Sequence, residues 1–152
     1  MAMDRTAVSA MPAVRFSGVT KRFGEALVLD HVDLEVRRGA FTGLVGVNGA
    51  GKTTLIKCLL DFCSLDEGSI EIFGNSHRIP ASRMALSFLP ERFAPPYYLT
   101  GREFMQTTRS LWRLPYDEAS VLQIFKDLDL SPDALAKPVR SYSKGMTQKL
   151  GL

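Results

Sequence analysis

No apolar run in this 152-residue chain approaches 18 residues, so no stretch is long and greasy enough to cross a bilayer as a helix. Cysteine is scarce. Cys58 and Cys63 are the only two, and their spacing matches no zinc or redox pattern. They read as small apolar core residues in a reducing compartment. Basic residues outnumber acidic ones by 19 to 16, a net charge of +3 without any long block of Lys or Arg. That excludes an electrostatic case for nucleic acid, and Arg37-Arg38 reads as an exposed turn before Gly39. Residues 1–12 lack the apolar centre of a secretory signal and read as a flexible tail, which points to a cytosolic protein. Repeats of 20 to 50 residues and low-complexity tracts are also missing. What remains is the composition of one globular domain, 45% hydrophobic and 23% charged.

The informative stretch is Gly46-Val47-Asn48-Gly49-Ala50-Gly51-Lys52-Thr53-Thr54. It satisfies Gly, four residues, Gly-Lys-Ser/Thr, the phosphate-cradling P-loop. Phe41–Val45 before it reads as a short buried strand and Lys52–Leu60 after it as a helix, the order the motif requires. Glycine at 46, 49 and 51 lets the backbone turn tightly, so that consecutive N–H groups can point inward at phosphate oxygens. The positive end of the helix adds to the attraction. Lys52 supplies a mobile cation for the terminal phosphates, and the Thr53 hydroxyl is placed to ligate Mg²⁺.

Around this loop the chain reads as two parts. In 13–90, Val14–Val19 alternates as a strand, Thr20–Gly24 turns, and Val28–Val36 is a half-exposed antiparallel strand. Leu65–Gly68 is a turn, Ser69–Phe73 a strand ending at Gly74, and Met84–Leu89 an apolar strand stopped by Pro90. Glu91–Leu99 is irregular, with two adjacent prolines and three aromatics. In 100–140, Thr100-Gly-Arg-Glu103 is a capping box opening a helix to about Trp112. Asp117–Leu128 is a second helix with Val121, Leu122, Phe125 and Leu128 on its apolar side. From 141 to 152 the chain leads into a further helix. His31 and His77 read as surface residues.

From Val14 to its end the chain resembles the nucleotide-binding subunit of an ATP-binding cassette (ABC) transporter, N-terminal portion up to the signature motif. Gly46–Thr54 looks like that family's Walker A, Asp66-Glu67-Gly68-Ser69-Ile70 resembles its turn after the Walker A helix, and Ser141–Lys149 looks like a variant of its signature, usually Leu-Ser-Gly-Gly-Gln. The fold implied is α/β, a P-loop NTPase core with an antiparallel β subdomain and an inserted helical subdomain, here truncated before Walker B. Residues 13–152 would be an incomplete ATP-binding domain.

The resemblance implies ATP and Mg²⁺ as cofactors. Asn48, Gly49, Ala50, Gly51, Lys52, Thr53 and Thr54 would bind phosphates, with Phe23 stacked on the base. Phe23 also fits an ordinary turn or core phenylalanine. Ser143 and Gly145 fall on the signature serine and second glycine and would reach the ATP of a partner subunit. Ser143 equally fits a capped helix start. Glu91 stands where the family usually has a glutamine that contacts Mg²⁺ and the attacking water; a carboxylate there can still ligate the metal. Lys144 and Met146 replace the commoner glycine and glutamine, as in export subunits. Walker B, the catalytic glutamate and the switch histidine would follow the signature, and the 152 residues hold none of them.

The expected protein is thus an ATPase subunit on the cytoplasmic face of the plasma (inner) membrane. It would pair with a transmembrane permease subunit and a second ATP-binding subunit, with Phe93–Leu99 as the permease-facing surface or else a local cluster on the helical part. The alternative is a truncated, non-hydrolysing ATP-binding remnant or dimer partner. A soluble tandem cassette acting on ribosomes is disfavoured, because neither a second cassette nor a basic linker appears.

Overall fold

The computed structural model describes residues 11–152, so residues 1–10 of the expected tail lie outside the described part. The chain divides into a first unit ending at Ser87 and a second beginning at Phe88.

The first unit is built on an antiparallel sheet in the order β2-β1-β3-β4. β1 (Val14–Phe23) pairs with β2 (Ala26–Val36) in a register that runs from Val14↔Val36 to Phe23↔Ala26. Residues 20–23, expected as a turn, are therefore strand, because Lys21, Arg22 and Phe23 pair with β2 and Thr20 pairs with Glu67, and the chain reverses only at Gly24-Glu25. β1 also pairs with β3 (Glu67–Ile72), and β3 with the short β4 (Asn75–Ser76). The alternation that marks Val14 and Phe16 as inward is interrupted at Gly18, where the ladder shifts register, and resumes with Val19 on the buried face.

That face packs on helix α1 (Lys52–Leu59) through Val14, Phe16, Val19, Leu29, Leu55, Cys58, Leu65 and Ile70. The helix stops in a Schellman turn: Asp61 takes φ 61°, the Asp61 N–H donates to Cys58 O at 3.0 Å, and the Phe62 N–H to Lys57 O at 2.9 Å. β1 is tied to the next segment by Lys21, whose Nζ lies 3.0 Å from Asp66 Oδ1, while the Arg22 N–H donates to Asp66 Oδ2 at 2.6 Å. A short helix, α2 (Pro80–Arg83), ends the unit and places Arg83 3.0 Å from Asp61.

Three further expectations fail here. Phe41–Val45 is not a buried strand; it is unpaired, and Val45 is 93% exposed. Met84–Leu89 is likewise not a strand. Apolar residues become strand only when a ladder satisfies their backbone. Among the described residues every paired strand belongs to the antiparallel sheet, so these two segments have no neighbour. An apolar cleft of about 370 Å³ remains in this unit, lined by Val14, Phe16, Val36, Leu44, Leu55 and Leu59 among others. The third failure is His77, which is 2% exposed rather than on the surface. The β3–β4 turn folds it back over Ile70, whose carbonyl accepts both its backbone N–H and its ring Nδ1–H at 3.0 Å.

The second unit is helical: α3 (Gly101–Leu111), α4 (Glu118–Asp127), 3-10 turns at Pro132–Ala136 and Val139–Ser141, and α5 (Lys144–Leu150). The Thr100 capping box forms in both directions. The Glu103 N–H donates to Thr100 Oγ1 at 3.2 Å and the Thr100 N–H to Glu103 Oε2 at 2.7 Å. Its core gathers Val121, Phe125, Leu130, Leu135, Val139, Tyr142 and Leu150, with Leu122 and Leu128 partly buried against it. Arg102 grips Glu118 through two nitrogens, Nε at 3.1 Å and Nη2 at 2.6 Å, which joins α3 to the start of α4.

Candidate functional site

In the first unit, Gly46–Ala50 forms an exposed loop that closes with an Ala50 N–H to Val47 O bond of 3.2 Å and runs into α1. Gly49 and Gly51 take φ 84° and 82°, which only glycine tolerates without strain. At Gly51 the space is also closed, because a Cβ would lie 2.7 Å from Val28 O and 2.8 Å from Leu29 Cδ2. The loop thus leans on β2 through this residue. Gly46 is different from the reading made of it, since it has no positive φ and a Cβ there would sit in ordinary contact, 3.5 Å from Ala50 Cβ.

Gly51 caps α1 with no side-chain hydrogen bond, and the first turn of α1 carries no acidic residue. Its leading N–H groups are therefore uncapped and meet no competing carboxylate. Lys52 folds its ammonium back onto the loop, donating to Gly46 O and to Val47 O at 2.7 Å each. A flexible cation held by two carbonyls over uncapped amides fits a polyphosphate. Thr53 is exposed on α1 and Thr54 half-buried. Phe23, at the end of β1, is 54% exposed, with Lys21 Nζ 5.4 Å from its ring centre. It is an accessible aromatic, not a core residue.

The second unit carries Glu91, Ser143 and Gly145. All three are exposed. Ser143 caps α5, its Oγ accepting the Met146 N–H at 3.2 Å, so the capped helix start expected at this residue is present. Glu91 is held through its backbone: Gln148 Nε2 on α5 donates to Glu91 O at 2.7 Å. Just beyond, Gly151 lies where a Cβ would meet Leu89 Cδ1 at 2.6 Å and Phe93 Cδ1 at 2.9 Å. The loop 89–93 and the end of α5 therefore form one packed pair. Upstream, Arg140 N–H donates to Tyr97 O at 3.1 Å, Val139 N–H to Leu99 O at 2.8 Å, and Gly101 N–H to Lys137 O at 3.2 Å. The aromatic segment expected as a partner surface is thus tied by its backbone to residues 137–140, which lead towards α5. Tyr97 and Tyr98 themselves are exposed and stack edge to face at 5.8 Å. Phe93 packs edge-on to Phe104 of α3 at 5.9 Å, so the segment is partly a local cluster as well.

Sequence reasoning missed Gln148, Tyr142 and Gly101. The signal for the last was present: glycine is a poor choice at the first position of a well-capped helix. Among the described residues, no group of three or more His, Cys, Asp or Glu side chains could hold a metal ion, and no helix is long and apolar enough to cross a membrane.

Comparison with known proteins agrees with this geometry. A ribose import ATP-binding protein of Caldanaerobacter subterraneus is 34% identical over 138 residues, covering 83% of this chain and 28% of that protein. A daunorubicin resistance ATP-binding protein of Streptomyces coeruleorubidus is 35% identical over 144 residues, 92% of this chain and 45% of its own length. A sulfate/thiosulfate import ATP-binding protein of Mycobacterium tuberculosis is 36% identical over 143 residues, 92% and 40% respectively. The chain spans less than half the length of these relatives. Among solved structures, an ATP-binding subunit of an ABC transporter matches with a TM-score of 0.79 at 25% identity, over 91% of this chain and 59% of that one. The family described as ABC transporter matches residues 29–152, which take in the P-loop, the Glu91 loop and the Ser143 helix start, and the chain belongs to that family.

Proposed function

We propose that this chain is the nucleotide-binding part of an ABC transporter's ATP-binding subunit, which binds ATP with Mg²⁺. The observation that carries the reading is the P-loop, with its uncapped α1 amides and the Lys52 ammonium poised on Gly46 and Val47 carbonyls. Lys52 exchanges those two carbonyls for phosphate oxygens, and the amides from Asn48 to Thr54 complete the cradle. Mg²⁺ would neutralise phosphate charge when bound, and the exposed Thr53 hydroxyl on α1 is the oxygen donor the first unit would offer it. Phe23 supplies an accessible aromatic face for the base. Ser143 and Gly145 present an exposed helix start to the nucleotide of a second ATP-binding subunit.

No acidic residue follows Gly145 within the 152 residues, so these residues do not supply a carboxylate base after the signature. A polypeptide limited to them binds nucleotide weakly and turns it over little or not at all. The working assembly is a pair of such subunits on a permease at the cytoplasmic face of the membrane, with the exposed Tyr97-Tyr98 pair facing the permease. Lys144 and Met146 favour an exporter, although the relatives' names include importers.

Equilibrium binding of a fluorescent ATP analogue tests the central claim. Lys52→Ala lowers affinity at least about tenfold, the cost of a charged hydrogen-bond partner, with unchanged thermal stability. Equal binding by the variant, or appreciable Lys52-dependent hydrolysis by the 152 residues alone, refutes the respective part. Replacing Tyr97 and Tyr98 with Ser weakens membrane recruitment and leaves nucleotide binding intact; unchanged recruitment removes the permease-facing role.

A further inference from the structure

The residue before Ser143 is not a passive neighbour. Tyr142 is 9% exposed, and its hydroxyl donates to Ala134 O in the first 3-10 turn at 2.6 Å. Gly101, the first residue of α3, faces that hydroxyl, and a Cβ built on it would overlap the Tyr142 oxygen. It would also stand 3.2 Å from Ala134 O and 3.3 Å from Leu135 Cα. Gly101 has no positive φ, so the backbone does not demand glycine there. Space does. A helix begun by a capping box would ordinarily take a better helix former next, and the slot for the Tyr142 ring tip accounts for the exception.

We propose that Tyr142, seated in the slot that Gly101 leaves open, is a positioning residue that fixes where Ser143 is presented. Ser143 follows it directly, and the Ser143 Oγ must stay at the start of α5 to accept the Met146 N–H. The Val139–Ser141 turn leads straight into Tyr142, whose own N–H donates to Val139 O at 3.0 Å. The tyrosine therefore anchors, from inside the core, the residue that leads into the exposed serine. Burial pushes the phenol's pKa upward, so the hydroxyl stays neutral and keeps donating. The link to nucleotide chemistry rests on the signature role proposed for Ser143 above; the geometric lock does not.

Amide hydrogen exchange on the full 152-residue chain, without nucleotide, tests the lock directly. In Tyr142→Phe the Ala134 carbonyl loses the hydroxyl and keeps only the Lys137 N–H, so the ring tip is no longer held, and the Met146 and Thr147 amides that bond to Ser143 exchange roughly tenfold faster. Val121 and Phe125 amides, in the same core, keep their rates. Gly101→Ala, whose Cβ displaces the Tyr142 hydroxyl from its slot, gives the same local acceleration. Unchanged Met146 and Thr147 rates in both single variants overturn the proposal, as does uniform acceleration across the second unit, which marks Tyr142 as general core support. A second arm measures ATP-dependent self-association against a Ser143→Ala reference. If Ser143→Ala has no effect, the signature role fails while the exchange result decides the lock. If Ser143→Ala abolishes association and Tyr142→Phe leaves it unaltered, the positioning role fails.

Discussion

Gln148 and Glu91 are 57 positions apart, yet the Gln148 amide donates to the Glu91 carbonyl at 2.7 Å. One end of α5 presents Ser143 and the other holds the loop that carries the Glu91 carboxylate. Gln148→Ala releases that hold. The expected cost is about 1 kcal/mol, the net worth of one neutral hydrogen bond, confined to loop 89–93. Faster amide exchange there, with nucleotide affinity of the P-loop unchanged, checks it; a global loss of stability contradicts it.

Gly49 and Gly51 share a backbone conformation but not an environment. Alanine at 49 meets nothing within 4 Å, so its cost is conformational strain alone, about 1 kcal/mol. Alanine at 51 adds a clash with Val28 O and Leu29 and costs about 3 kcal/mol or more. Urea unfolding of the two variants should show the larger loss at 51. Equal losses would mean that β2 yields easily.

Asp66 carries a pH prediction. The Arg22 N–H, and then the Lys21 ammonium, hold its carboxyl below the usual carboxylate range. A depressed native pKa means that the unfolded chain takes up the proton first as pH falls. The stabilisation is complete above the unfolded value of 3.8 and is lost below it, as pH passes through the lower native value. Thermal melts from pH 6 to pH 2 should therefore fall more gently in Asp66→Asn than in the parent chain. Parallel curves would show the contact to be unimportant in solution.

Cys58 is fully buried on α1, and burial pushes its thiol up to about 11. At pH 8 it stays protonated and covered, so iodoacetamide should label it far more slowly in the native chain than in urea. Mass mapping of the labelled peptide checks this. Rapid native labelling would mean that the α1–sheet core opens.

The P-loop, the α1 helix, the Thr100 capping box and the α4 apolar face were all legible in the sequence. Each is encoded by residues within a few positions of one another. Gly49 and Gly51 are required by backbone conformation, Thr100 and Glu103 satisfy each other, and Val121 and Phe125 share a face by helical spacing. His77 misled because its burial depends on a turn that returns it to Ile70. Phe41–Val45 and Met84–Leu89 misled for the opposite reason, since apolar composition suits a strand but only a neighbouring strand makes one.

By itself, then, the sequence determined local features: the glycines of the P-loop, the Lys52 cation beside them, and the starts of α1, α3, α4 and α5. Tertiary structure alone decided which distant residues hold that chemistry in place. Gly51 against Val28, Tyr142 in the Gly101 slot and Gln148 on Glu91 are contacts between segments far apart in the chain, and no local pattern specifies them. They follow from excluded volume and from the need of buried or opposed polar groups for partners, which act only once the chain has folded back on itself.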